Sequence, residues 1–201
     1  MNMKKIALLF GLLLTVVMAH AQTERRIYTS SELKAMQART EEKKETKEQK
    51  KLREALQDSI NYAQALHALE TLNFVMEADQ LVFKRGRTAF VTSQTNFVSL
   101  SDDKAIVQIA PFNGGGPNGV GGITLEGRAS NIHIKTDKKG NTTFMMSVMG
   151  TGLSASIDIR LNKGSNKVSV TVNPNFHSNR VTLNGRLLPS EWSNVHQGRA
   201  F

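Results

Sequence analysis

The hydrophobic rhythm of the chain changes three times from its N-terminus, and each change predicts a different element. A continuous apolar run over residues 6–18 comes first, preceded by Lys4 and Lys5 and followed by Ala19-His20-Ala21. This three-part pattern reads as a secretory signal peptide over residues 1–21, cleaved before Gln22. The run is shorter than the ~20 apolar residues that cross a bilayer as a helix. No cysteine follows it to carry a lipid. The mature chain is therefore expected to be exported, with no transmembrane segment.

Residues 22–72 form a charged, then amphipathic, helical segment. Thr29-Ser30-Ser31-Glu32 is a capping-box pattern, in which a hydroxyl and a glutamate three residues on satisfy free backbone donors reciprocally. No Gly or Pro interrupts residues 33–72. Over 39–51 every side chain is charged or polar, so that stretch has no face to bury. Leu52, Leu56, Ile60, Ala63, Leu66 and Leu69 then recur at steps of three and four. This stripe is expected to pack on the following domain, with a coiled coil or partner-binding helix as the alternative.

From residue 73 the period drops to two. The run 73–83 alternates, then shifts phase at Leu81, the signature of a strand with a bulge. Arg85-Gly86-Arg87 reads as a turn. Apolar-alternating runs follow at 97–100, 105–109, 123–134, 142–148, 153–161, 168–172 and 181–187. Asp102-Asp103, Asp137-Lys138-Lys139-Gly140-Asn141 and Lys163-Gly164-Ser165-Asn166 separate several of them with turn chemistry. The expected fold is mainly β, an antiparallel sandwich or small barrel of about eight strands over 73–201, preceded by the long N-terminal helix.

Charge narrows the partners. The chain carries a formal net charge of +9. Two of those charges leave with the signal peptide, and residues 24–58 are nearly balanced, with ten basic and eight acidic side chains. The rest lies scattered in turns, as a diffuse basic surface suited to an anionic envelope and not to a dedicated nucleic-acid site. With no cysteine there is no disulfide, thiolate nucleophile or cysteine-held metal.

The most unusual segment is the glycine-rich loop over 113–122. Gly114, Gly116 and Gly119 satisfy G-x-G-x-x-G, but Ile123-Thr124-Leu125 follows where a dinucleotide site needs a helix. The loop reads instead as a flexible or left-handed connection between strands, with a loop whose backbone approaches a ligand closely as the alternative. Asn113, Gly114, Gly116, Asn118 and Gly119, with Arg85 and Arg87 of the basic turn, are the candidate ligand contacts. No catalytic residue, metal ligand or cofactor is assigned. The histidines do not cluster by spacing, His177 with His196 being the pair to inspect, and Glu77 with Asp79 could place two carboxylates on one strand face. A membrane barrel ending on Phe201 is rejected, because Val195, Gln197 and Arg199 form no lipid face.

Glu77-Ala78-Asp79, Leu81-Val82-Phe83, Asn96-Phe97-Val98, Val107-Gln108-Ile109, Asn118-Gly119-Val120-Gly121-Gly122-Ile123-Thr124, Gly127-Arg128, Gly150-Thr151-Gly152 and Leu188-Pro189-Ser190 together resemble the bacterial domain-of-unknown-function family numbered 4251. The resemblance runs over residues 74–201 and leaves the charged helix outside. It implies export and a β-rich domain, and it supplies no activity and no site residue. The expected function is that of an exported periplasmic or envelope protein, a non-catalytic binding or accessory module for an envelope glycan or protein. A hydrolase acting on an envelope polymer is the alternative.

Overall fold

The alternating runs bond to one another in sequence order until the last meets the first. The computed structural model describes residues 29–112, 114–150, 153–175 and 180–200. The proposed signal peptide, Asn113, His177 and Phe201 lie outside the described residues. Helix α1 spans Ser30–Glu70. The strands are β1 (Asn73–Phe83), β2 (Thr88–Phe90), β3 (Phe97–Ser101), β4 (Lys104–Ile109), β5 (Ile123–Thr136), β6 (Thr142–Gly150), β7 (Leu153–Leu161), β8 (Lys167–Pro174) and β9 (Val181–Pro189), with a 3-10 turn at Ser190–Trp192. By its internal contacts the chain divides into two units at Lys50 and Lys51.

Strands β3 to β9 pair antiparallel in order, and β1 pairs with both β3 and β9. The result is a closed eight-stranded up-and-down barrel, preceded by a long helix, with β2 as an extra strand. Closure occurs where Gly185 of β9 faces β1. A Cβ there would stand 1.9 Å from the Glu77 carbonyl oxygen, so only glycine admits the contact. Beside it the β1–β9 register slips between Ala78 and Gln80, leaving Asp79 as the bulged residue that the phase shift at Leu81 predicted.

Strand β2 carries no readable alternation over its three residues. It continues the direction of β3 along the same edge of β1, pairing with Gln80, Leu81 and Val82 where β3 pairs with residues 73–77. Residues 91–96 break what would otherwise be one strand, and the outer edge of β2 is unpaired among the described residues.

Inward positions are apolar and closely packed. Phe74, Met76, Leu81, Leu100, Phe144 and Ile159 are fully buried, and the Phe74 and Phe144 rings meet edge to face at 5.4 Å. Outward positions on β7 and β8 carry Asp158, Arg160, Ser169 and Thr171, the reverse of a membrane barrel's apolar exterior. No described helix is long and apolar enough to cross a membrane.

Helix α1 starts as its sequence dictates. The Thr29 N–H donates to Glu32 Oε2 at 2.8 Å, and Thr29 Oγ1 accepts from the Glu32 N–H at 3.4 Å. The Thr29 N–H, and then the Thr29 hydroxyl, which donates to the same Oε2 at 2.9 Å, hold the Glu32 carboxyl below its ordinary range. The expected burial of the apolar stripe holds at Leu66 and Leu69 and is corrected for its first part. Leu52, Leu56 and Ile60 are 64%, 58% and 51% exposed, and the helix docks only through its last turns, by Ala65, Ala68 and Leu69, with Tyr62 and Leu66 half-buried beside them. The reason is geometric: the helix meets the end of a barrel, where two alanines allow close approach and one leucine reaches the core. The Tyr62 hydroxyl donates to the Gly140 carbonyl at 2.6 Å and fixes the helix against the β5–β6 turn.

Candidate functional site

Because neighbouring strands run in opposite directions, their connections fall at two ends. The α1–β1 junction and the β3–β4, β5–β6 and β7–β8 turns share the end that α1 covers. The β1–β2 turn and the connections leading into β5, β7 and β9 share the other. Both sequence candidates, the glycine loop and the basic turn, therefore lie at the end opposite the helix.

The loop is built, not slack. Gly114, Gly115, Gly116, Gly119 and Gly121 all have positive φ. At Gly121 the constraint is double, since φ is +105° and a Cβ would lie 1.8 Å from the Phe112 carbonyl oxygen. The Gly121 N–H donates to the Gly115 carbonyl at 2.6 Å, and the Gly119 N–H to that of Gly116 at 3.1 Å. Asn118 organises the remainder. Its buried Oδ1 accepts from the Val120 and Gly122 N–H groups at 3.1 and 2.9 Å, and its Nδ2 donates to Thr124 Oγ1 at 3.2 Å.

That bond begins a relay across the outer wall. Thr124 Oγ1 donates to Gln108 Oε1 at 2.8 Å, and the same oxygen accepts the Gly198 N–H at 2.7 Å. Gln108 Nε2 donates to the Thr95 and His196 carbonyls. The Arg199 N–H closes the circuit on the Asn118 carbonyl at 3.0 Å. The C-terminal segment is thus strapped over β4, which explains how outward-facing Gln108 comes to be fully buried. Asn96, also buried, exchanges two bonds with Ala110 and donates to the Thr92 carbonyl, joining the connections before β3 and after β4.

On this frame the end displays a mixed surface. Gly114, Gly116 and Gly119 are exposed, as are Arg85 and Arg87. The Arg87 guanidinium lies 5.7 Å from the Phe83 ring centroid. Two phenylalanines that sequence reasoning missed stand out: Phe90 on β2 is 84% exposed and Phe112 at the loop entrance 73%. Neither belongs to an apolar alternation, so the sequence carries no signal of their exposure. Asn118 is the exception among the candidates, since its side chain is buried and spent on the loop.

The other residues singled out do not converge as expected for catalysis. Glu77 is half-buried, and its Oε1 accepts from Ser193 Oγ at 2.6 Å. Asp79 is exposed at the bulge. His196 is exposed, with its N–H on the Gln94 carbonyl. Among the described residues no three His, Asp or Glu side chains come together as metal ligands. Besides Glu32, two carboxyls among the described residues are displaced, both downward. The Lys104 ammonium, at 2.8 Å, and the Gln197 amide, at 2.7 Å, hold Glu126 below the ordinary range. The side chain and then the N–H of Asn141 do the same for Asp137 in the β5–β6 turn.

Three comparisons place this architecture among known proteins. The model of the family described as Domain of unknown function (DUF4251) matches residues 56–187. No curated protein is significantly similar to the chain. Among solved structures, a DUF4251 family protein from Bacteroides eggerthii DSM 20697 is 47% identical, matches with a TM-score of 0.62, and covers 70% of this chain and 95% of its own. The match spans the last turns of α1 and nearly all of the barrel, and the chain belongs to the DUF4251 family.

Proposed function

We propose that the protein is an exported, non-catalytic binding module of the bacterial cell envelope, and that it contacts its partner through the barrel end opposite α1. The observation that carries this reading is the pair of solvent-exposed phenylalanines, Phe90 and Phe112, which share this end of the barrel with the exposed Arg85 and Arg87. Exposed aromatic and arginine side chains are the types that anchor interfaces. A packed barrel holds them without a folding role of their own. Export rests on the signal-peptide pattern of residues 1–21.

The test combines a sedimentation assay with one variant. The protein is expected to co-sediment with purified sacculi or outer-membrane vesicles. Replacing Arg85, Arg87, Phe90 and Phe112 together by alanine is expected to abolish this without lowering the melting temperature. Retained co-sedimentation would remove this end from the account. Export is checked by N-terminal sequencing of the protein recovered from the envelope, which should begin at Gln22.

A further inference from the structure

A second surface, on the side of the barrel and within residues 51–201, has a different chemistry. An open groove of about 430 Å³ runs between the last turns of α1 and the wall of β8 and β9. From the helix it is lined by Asp58, Asn61 and Gln64, from the wall by Lys167 and Arg186, and at one end by Trp192 of the 3-10 turn. The indole is 52% exposed.

Most of this polar lining is unspent. Among the described residues, the side chains of Asp58, Gln64, Lys167 and Arg186 make no hydrogen bond or ion pair. Asn61 uses only its Oδ1, which accepts from Gln57 Nε2 at 2.9 Å, and its two N–H donors remain. Lys167 and Arg186 are direct cross-strand partners, an arrangement of like charges that destabilises a sheet. Glu77, next in the row beyond Arg186, is turned to Ser193. The protein therefore keeps donors, acceptors and an apolar plate facing one volume, within the size range of small-molecule sites.

We infer that this groove is a saccharide-binding site, taking a neutral sugar of one or two rings. Each ring hydroxyl both donates and accepts, so it needs a lining that offers both. Asp58 accepts, Lys167 and Arg186 donate, and the Gln64 amide does either. An anion would use donors alone, and Asp58 and Glu77 oppose it. A hydrophobic peptide side chain would leave this polar lining unpaired. The apolar C–H face of a pyranose fits the exposed indole, whose edge N–H remains free to bond. This site is separate from the surface proposed above, so either reading can fail while the other stands.

Trp192 is the one tryptophan of the chain, which makes its emission a direct reporter of the groove. Titration of the full chain with cellobiose and with N,N′-diacetylchitobiose is expected to give a saturable emission change with at least one of them. Asp58→Ala is expected to weaken that binding about tenfold, the loss of a hydrogen bond to a charged group. Asp58→Asn should recover part of it, and thermal midpoints should stay unchanged because Asp58 is exposed. The inference is overturned if neither sugar changes the emission at about 50 mM, where a millimolar site would be filled. It is equally overturned if Asp58→Ala/Gln64→Ala responds as the native chain does, or if only inorganic phosphate or digalacturonate responds, which would make this an anion site.

Discussion

The two ends of the barrel solve the same problem, joining antiparallel strands, in opposite ways. At the helix end the turns are tight and their chemistry is local: Asp102 takes a positive φ, and Asp137 Oδ1 accepts from the Lys139 and Asn141 N–H groups at 2.8 and 2.9 Å. Over them α1 lays Ala65, Ala68 and Leu69 into the core. At the far end β4 and β5 are joined by the long glycine loop, and apolar side chains point outward. One end spends its hydrophobic residues on folding and the other leaves them in water. Stability and recognition should therefore respond to different substitutions.

The largest expected effect lies at the helix end. Leu69→Ala empties a fully buried site and should cost about 2–5 kcal/mol, read from denaturant unfolding. Next comes the frame of the far end. Asn118→Ala leaves the Val120 and Gly122 donors unpartnered and should cost about 1–3 kcal/mol. It should also raise amide exchange over residues 193–200, because the strap is bonded to the same network. An exchange pattern unchanged in that segment would show that loop and strap are independent. By contrast, Phe90→Ala and Phe112→Ala should each stay within about 0.5 kcal/mol of the native chain, as exposed substitutions do. A large loss in either would make that phenylalanine a folding residue and blur the distinction.

The smallest effect is on pH dependence. Glu126 is held below its ordinary pKa in the folded chain, so its ion pair with Lys104 stabilises the protein above the range in which a free glutamate titrates. That contribution should fade as pH falls through the lowered folded value. Because Glu126 is partly exposed, the amplitude should remain under about 1 kcal/mol. Glu126→Gln should flatten stability against pH in that acidic window, and thermal melts across it measure the difference.

How much of this was readable beforehand follows the range of the interactions. The hairpin turns, the strands other than β2 and the capping box depend on neighbours in sequence, and they appear in the structure close to the residues that announced them. The bulge in β1 was visible as a phase shift. The docking face of α1 was not, because a stripe at helical spacing does not say where the helix meets its partner; Leu52, Leu56 and Ile60 fit the pattern and remain in water. Closure into a barrel depends on the approach of Gly185 to Glu77, which are far apart in the chain. The resemblance residues Asn96, Gln108, Asn118, Gly122 and Thr124 turn out to frame the far end, Asn96 joining the two connections and the others forming the relay beneath the strap. That gives a physical meaning to a pattern that carried no catalytic signature. Phe90 and Phe112 were missed because an isolated aromatic outside an alternation has no sequence signal of exposure. The saccharide groove was missed for a related reason, since Asp58, Arg186 and Trp192 converge only in the folded chain.

The proposed envelope partner sits on the end opposite α1, apart from the groove beside β8 and β9. Mapping amide exchange with and without outer-membrane vesicles tests this most directly. The account predicts protection concentrated in residues 84–90 and 111–122, with the turns beneath α1 unchanged. Protection confined to the helix end, or none at a concentration where the protein co-sediments, would contradict it.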